Sequence, residues 1–441
     1  MTSPPEPLAR RLGTLDAVVI GLGSMIGAGV FGVFAPAARA AGGGLLLGLV
    51  LAAAIAYLNA MASAQLAAVY PTSGGTYVYG RERLGPWWGF LAGWGFVVGK
   101  AASCAAMALT FAAYAVPGPW WLQRAAGVAA VLVLTAVNYR GVTRTALLTR
   151  LLVACSLTAL AVTVVAIAVG GRATAADLGG PAAAGGGHGP AGVLQSAGLL
   201  FFAFAGYARI ATMGEEVRDP ERTVPRAITI ALAGAVVVYA VVGVAALRAA
   251  GPERLASATA PLADAVRAAG APWAQPVVRI GAAVASLGAL LALIAGIGRT
   301  TLAMARERDL PGGLAAVHPR FRVPHRAEVA AAVLVIILVA AVDLRGAIGF
   351  SSFGVLVYYA VANASAVTLP AGQRLVPRAL NVAGGLGCLV LVATLPVNAV
   401  VGGVAMFAIG AAGRWVARHR SLILRSAAAG DGDGSPGRPG P

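Results

Sequence analysis

The sequence predicts an all-α membrane protein with twelve transmembrane helices, and three observations carry the prediction. Hydrophobic residues make up 59% of the 441 and charged residues 11%, where soluble domains carry roughly 25% charged. Mean hydropathy is +0.82. Apolar runs near the ~20 residues that cross ~30 Å of hydrocarbon recur along almost the whole length, and no stretch between them is long enough for a soluble domain.

In chain order the runs fall at about 15–38, 42–69, 86–115, 121–138, 146–170, 193–214, 224–248, 275–303, 327–343, 346–369, 378–395 and 397–416. The first residues are polar and proline-bearing, and eleven runs follow the first, which argues against a cleaved signal peptide. A net charge of +17 would suit a nucleic-acid binder, but the arginines are spread over loops instead of forming one patch. With the N-terminus inside, most of them fall in cytoplasmic segments, as the positive-inside rule expects. The expectation is a multi-pass cell-membrane protein in a lipid bilayer, both termini cytoplasmic, with no nucleic-acid partner.

Span one contains "GLGSMIGAGVFG", a cluster of Gly21, Gly23, Gly27, Gly29 and Gly32. Glycine costs about 1 kcal/mol per helical residue relative to alanine, and an interrupted spanning helix is tolerated only where its freed backbone faces protein, water or ligand. Residues Gly23–Gly29 therefore read as unwound; close helix packing is the alternative use of such glycines. A dinucleotide fold would want an acidic residue about 20 positions on, where the sequence runs "AAGGGLLLG". Span six, "GLLFFAFAGYARIATMGEEVRDP", crowds small and aromatic residues around Gly206. Paired interruptions in corresponding spans point to a transporter site near the bilayer midplane.

Four passages, in this order, carry a family resemblance: "GLGSMIGAGVF" (21–31), "YPTSGGTYVYGRERLGPWWGFLAGW" (70–94), "FFAFAGYARIATMGEEVRDPERTVPRAI" (201–228) and "RTTLAMARERDLP" (299–311). Over roughly residues 12–416 the chain resembles the amino acid–polyamine–organocation (APC) superfamily of permeases. The resemblance implies an inverted five-plus-five repeat with broken helices one and six, and alternating access that moves amino acids or related amines. Residues 15–369 would form that ten-helix core and 370–416 two additional helices. Residues 1–14 would be a cytoplasmic tail, and 417–441 a tail read as disordered from its Gly, Asp and Pro content.

On this reading the unwinding of Gly23–Gly29 exposes amides at the start of a half-helix from about Val30, where the dipole favours an anion and a substrate's carboxylate fits. Its ammonium meets carbonyls near Gly23 in span one and near Phe202 and Ala203 in span six. The substrate-binding set is Gly23, Ser24, Met25, Ile26, Gly27, Ala28, Gly29, Cys104, Met107, Phe202, Ala203, Phe204, Ala205, Gly206 and Leu293. Met25, Cys104, Met107, Ala205 and Leu293 would shape a small apolar pocket for small neutral amino acids. Phe202 matches the family position that caps the substrate and, with Glu215, is assigned to gating; ordinary packing for the first and a static surface pair for the second are the alternatives.

Lys100 is the only lysine among 33 basic residues. It lies about 15 residues beyond Gly85, roughly 22 Å at helical rise and near mid-membrane. Lys100, Cys104 and Met107 share a helix face. A buried ammonium can give up its proton where a guanidinium stays charged, so Lys100 is the candidate for proton coupling or else for pairing with the substrate carboxylate; structural pairing or snorkelling is the alternative. Some proton-coupled relatives carry a lysine on span five, at the position that is Ser156 here.

Arg209 on span six should face a watery pathway or pair with an acid, and with Lys100 it disfavours cationic substrates. Asp16, Glu82, Glu215, Glu216 and Asp343 lie at or near span ends, so a polyamine site lacks buried carboxylates. Cys104, Cys155 and Cys388 show no metal-ligand spacing, and His188, His318, His325 and His419 lie in loops or the tail. No enzyme, metal or cofactor is expected. A non-transporting sensor, a channel, a membrane enzyme or an efflux exchanger are the competing readings.

Overall fold

A computed structural model describes residues 12–27, 29–71, 74–141, 146–171, 189–211 and 217–430. Among these residues every named element is helical, with one isolated bridge between Leu12 and Val217. Span one is α1 (Thr14–Ile26), α2 (Gly29–Gly32) and α3 (Phe34–Ala41), followed by α4 (Leu45–Val69). A short polar helix, α5 (Thr76–Leu84), precedes α6 (Pro86–Ala115), α7 (Trp120–Tyr139) and α8 (Ala146–Val169). Span six is α9 (Gly189–Phe204) and α10 (Ala208–Ala211). The remainder is α11 (Pro220–Ser257), α12 (Pro261–Ala268), α13 (Gln275–Arg306), α14 (His325–Ala341), α15 (Leu344–Val367), α16 (Arg378–Thr394) and α17 (Val397–Gly430).

Ten helices among the described residues are long and apolar enough to cross a membrane, against twelve predicted spans. The other two predicted spans are α14 and α16, of 17 residues each, short of the ~20 that bridge the hydrocarbon unaided. At the other end of the chain α17 runs on past Val416 to Gly430, into the stretch expected to be a tail.

Local chemistry sets the helix boundaries. Gly85, at φ 104°, turns the chain, and Pro86 opens α6 at the position where a missing N–H costs nothing. Inside α11, Gly251 at φ 70° and Pro252 interrupt the helical ladder. The Asp343 carboxylate caps α15 by accepting from Gly346 N at 2.8 Å.

Burial ranks the helices from centre to edge. The apolar windows of α6 and α15 are 83% and 78% buried, those of α7 and α17 only 22% and 28%. The central pair meets backbone to backbone: a Cβ on Gly354 of α15 would lie 2.7 Å from Gly95 O and 2.9 Å from Gly99 Cα of α6. Small residues one turn apart are how membrane helices pack closely. One turn further, Ser103 and Ser351 hydroxyls share a 2.6 Å hydrogen bond. This seam fixes the next residue on α6, Lys100.

Candidate functional site

The wider interruption of span one lies between α1 and α2. The helix holds to Ile26, Gly27 adopts φ −41° and ψ −129°, and the helix resumes at Gly29. Ala28 lies outside the described residues. The expected unwinding over Gly23–Gly29 is thereby narrowed: Gly23 and Ser24 are helical, and the Ser24 hydroxyl donates back to Ile20 O at 2.9 Å. Glycine permits a break but does not force one, so the ladder persists where every carbonyl has a partner. Here the glycines serve contact, since a Cβ on Gly21 would meet Ile210 Cδ1 at 2.3 Å and one on Gly23 would meet Val153 Cγ2 at 2.6 Å.

Span six does not unwind within its described part. It tightens into a 3₁₀ turn over Ala205–Tyr207 between α9 and α10. Gly206 is the contact point with span one, because a Cβ there would stand 2.3 Å from Ser24 O and 2.6 Å from Met25 N. Gly29 answers from the other side, where a Cβ would lie 3.0 Å from Ala203 Cα. The two interrupted segments thus cross in direct backbone contact.

Carbonyls at the crossing converge on a few side chains. Tyr239 of α11, fully buried, places its hydroxyl 2.7 Å from Met25 O and 2.9 Å from Ala203 O. Ala205 O, on the 3₁₀ turn, accepts from Lys100 Nζ at 3.3 Å and from the Tyr359 hydroxyl at 3.3 Å. Lys100 is 6% exposed, and its ammonium lies 6.0 Å from the centre of the Phe96 ring. Tyr114 donates to Phe31 O at 2.8 Å. The lone lysine therefore reaches span six from α6.

The structure brings most of the predicted set together. Met25, Ile26, Cys104, Met107, Phe202, Ala203, Phe204 and Ala205 are buried in one core. On α6, Thr110 touches Gly32 of α2, so the face bearing Lys100, Cys104 and Met107 runs from span six to span one. On α13, Ala289 lies against Gly27, and half-buried Leu293 is one turn further along the same face. Ser156 is buried on α8 and bonds its own helix at Leu152 O, 2.8 Å away. Arg209 is half-buried on α10. Glu215 and Glu216 lie outside the described residues.

A second polar region lies where α5, α6, α13 and α17 meet. Asp309 and Arg414, each 1% exposed at the side chain, form a 2.7 Å ion pair. Tyr77 donates to Asp309 at 2.9 Å, and Arg81 reaches both Asp309 (3.4 Å) and Glu307 (2.8 Å). Burial, and after it the Asp309 carboxylate, push the Tyr77 phenol up, so it remains a donor. The Arg414 guanidinium also lies 4.6 Å from the Trp87 and Phe90 rings and donates to Pro86 O at 2.7 Å. At the same end Arg218 N donates to Leu12 O at 2.9 Å, and Arg150 pairs with Asp16.

Sequence reasoning missed Tyr239, Tyr359 and the Asp309–Arg414 pair. A lone hydroxyl inside "AVVVYAVVG" was the available signal for the first, since a phenol buried in apolar helix seeks a partner. It also missed Glu328, which is 3% exposed in the first turn of α14.

A family match and three relatives bear on this geometry. Residues 12–413 match the amino acid permease family. An uncharacterised transporter of Mycobacterium tuberculosis is 58% identical over 429 residues, covering 97% of this chain and 96% of that one. A branched-chain amino acid permease of Bacillus subtilis is 25% identical over 404 residues, 87% of this chain and 86% of that one. Human cationic amino acid transporter 4 is 30% identical over 387 residues, 82% of this chain and 60% of that one.

Proposed function

Because the chain belongs to the amino acid permease family, we propose that it is a secondary carrier for small neutral amino acids, driven by protons or by exchange and working by alternating access. The observation that carries the reading is the meeting of Met25 O and Ala203 O within hydrogen-bond reach of one atom, the Tyr239 oxygen. That hydroxyl has a single proton and can fully serve only one carbonyl at a time. An α-ammonium has three, so it can serve both and still reach a third acceptor. The carboxylate would take the amides that open the helix at Gly29, where the dipole favours an anion.

Twelve spans in an inverted five-plus-five arrangement, residues 370–416 outside that core, and both termini in the cytoplasm complete the proposal. Relatives named for branched-chain and for cationic amino acids leave the side chain open. Charge supports a neutral one: the Lys100 ammonium of α6 is bonded to span six at Ala205 O and Arg209 stands on α10, so an added cation would be repelled. Met25, Cys104, Met107 and Leu293 leave a small apolar surround, with Phe202 and Glu215 as gates.

Lys100 is the proposed coupling group. An ammonium held on one carbonyl of span six senses both the proton and the position of that helix. Uptake of a radiolabelled amino-acid panel into proteoliposomes, with and without a proton gradient, tests the function; no saturable uptake or counterflow of any amino acid defeats it. Lys100→Met should retain counterflow but lose gradient-driven accumulation and flatten the pH profile. Wild-type pH dependence in that variant would remove the coupling role and leave the carrier reading intact.

A further inference from the structure

Between α7 and α14, on the outer surface of the bundle, runs a groove of about 530 Å³. It is lined by Leu132, Thr135 and Ala136 of α7 and by Val329, Ala332, Val333 and Ile336 of α14, with Thr135 and Ala332 the buried ones. Leu132 and Val333 are more than half exposed. Alanine at 136 and 332 leaves space that larger side chains would fill between the ridges, as facing helices normally do. From Leu132 to Tyr139 the groove follows about two helical turns, roughly 10 Å.

One end of this groove is polar. Arg140 and Tyr139 line its mouth, with the Phe321 ring opposite and the Arg320 guanidinium 5.4 Å from that ring's centre. Arg322 and Arg326 are exposed in the same segment. The acidic side chain beside them, Glu328, is buried on the inner face of α14 against Gly298. An apolar trough one or two turns long that ends in guanidinium groups matches a molecule with a hydrocarbon chain and an anionic head. Basic pockets between membrane helices take such headgroups.

The geometry points to a bound anionic glycerophospholipid, with one acyl chain along Ala136 and Ala332 and its phosphate at Arg140. The site is separate from the crossing of spans one and six and stands whether or not the carrier reading does. Native mass spectrometry of the whole protein from nanodiscs of phosphatidylglycerol and phosphatidylcholine tests it. Phosphatidylglycerol should be retained in preference, and Arg140→Gln should weaken retention about five-fold, the equivalent of about 1 kcal/mol for one arginine at the surface.

Ala136→Phe, which fills the trough and leaves every charge in place, should abolish retention. Equal retention of the two lipids overturns the proposal, and so does phosphatidylglycerol preference that survives Ala136→Phe, since surface charge alone would then explain it. Thermal unfolding of both variants checks that neither loses lipid by failing to fold.

Discussion

Where α1 crosses α9 and α10, the buried polar groups are backbone carbonyls, met by the Tyr239 and Tyr359 hydroxyls and a single ammonium. Around Asp309 they are full charges of both signs, paired and hydrogen-bonded. The first arrangement leaves acceptors that a visiting ligand can take over, because neutral hydrogen bonds are each worth only about 1 kcal/mol net. The second holds α5, α6, α13 and α17 together, because separating a buried pair strands a charge in apolar surroundings. Exchangeable contacts sit at the centre and committed ones at the end of the bundle.

Predictions follow that contrast from its strongest point. Asp309→Ala removes the carboxylate that buried Arg414 pairs with and should cost about 3–5 kcal/mol, read as a lowered melting temperature in detergent and poor yield. An unchanged melting curve would show that the cluster is not a clamp. Gly206→Ala forces a methyl group to 2.3 Å from Ser24 O; overpacking of this kind costs about 1–3 kcal/mol, and uptake should fall while membrane insertion persists. Intact transport would mean that the two segments are not held at this separation.

Tyr239→Phe removes one donor from Met25 O and Ala203 O and should cost about 1 kcal/mol. On the proposed function the loss should be recovered by saturating substrate, measured as a substrate-dependent rise in melting temperature larger than that of the wild type. The smallest effect is expected at the rim of the charged cluster. Glu307 is half exposed at its side chain, and Glu307→Gln should change stability by no more than about 0.5 kcal/mol. A large effect there would place the rim among the committed contacts.

The order of helices, the break near Gly27 and the burial of Lys100 within α6 were legible in the sequence, because apolar periodicity, glycine clustering and a lone lysine in an apolar run are local signals. The extent of the break was not. Gly23 stays in the helix and packs against Val153 from α8, and no window of sequence around Gly23 contains that residue. Gly206 was recognised as a point of interruption, yet its role is close approach to Ser24, which only the crossing reveals. Tyr239 and Arg414 were missed for the same reason: their partners lie at Met25, Ala203 and Asp309, far along the chain.

The glycine seam between α6 and α15 has a mechanical consequence. With Gly95, Gly99 and Gly354 in main-chain contact, no side chain separates those two rods along the seam. Lys100 stands on one of them and Tyr359 on the other, while their shared acceptor, Ala205 O, belongs to a third, so a swing of that third rod away from the pair stretches or releases both bonds together.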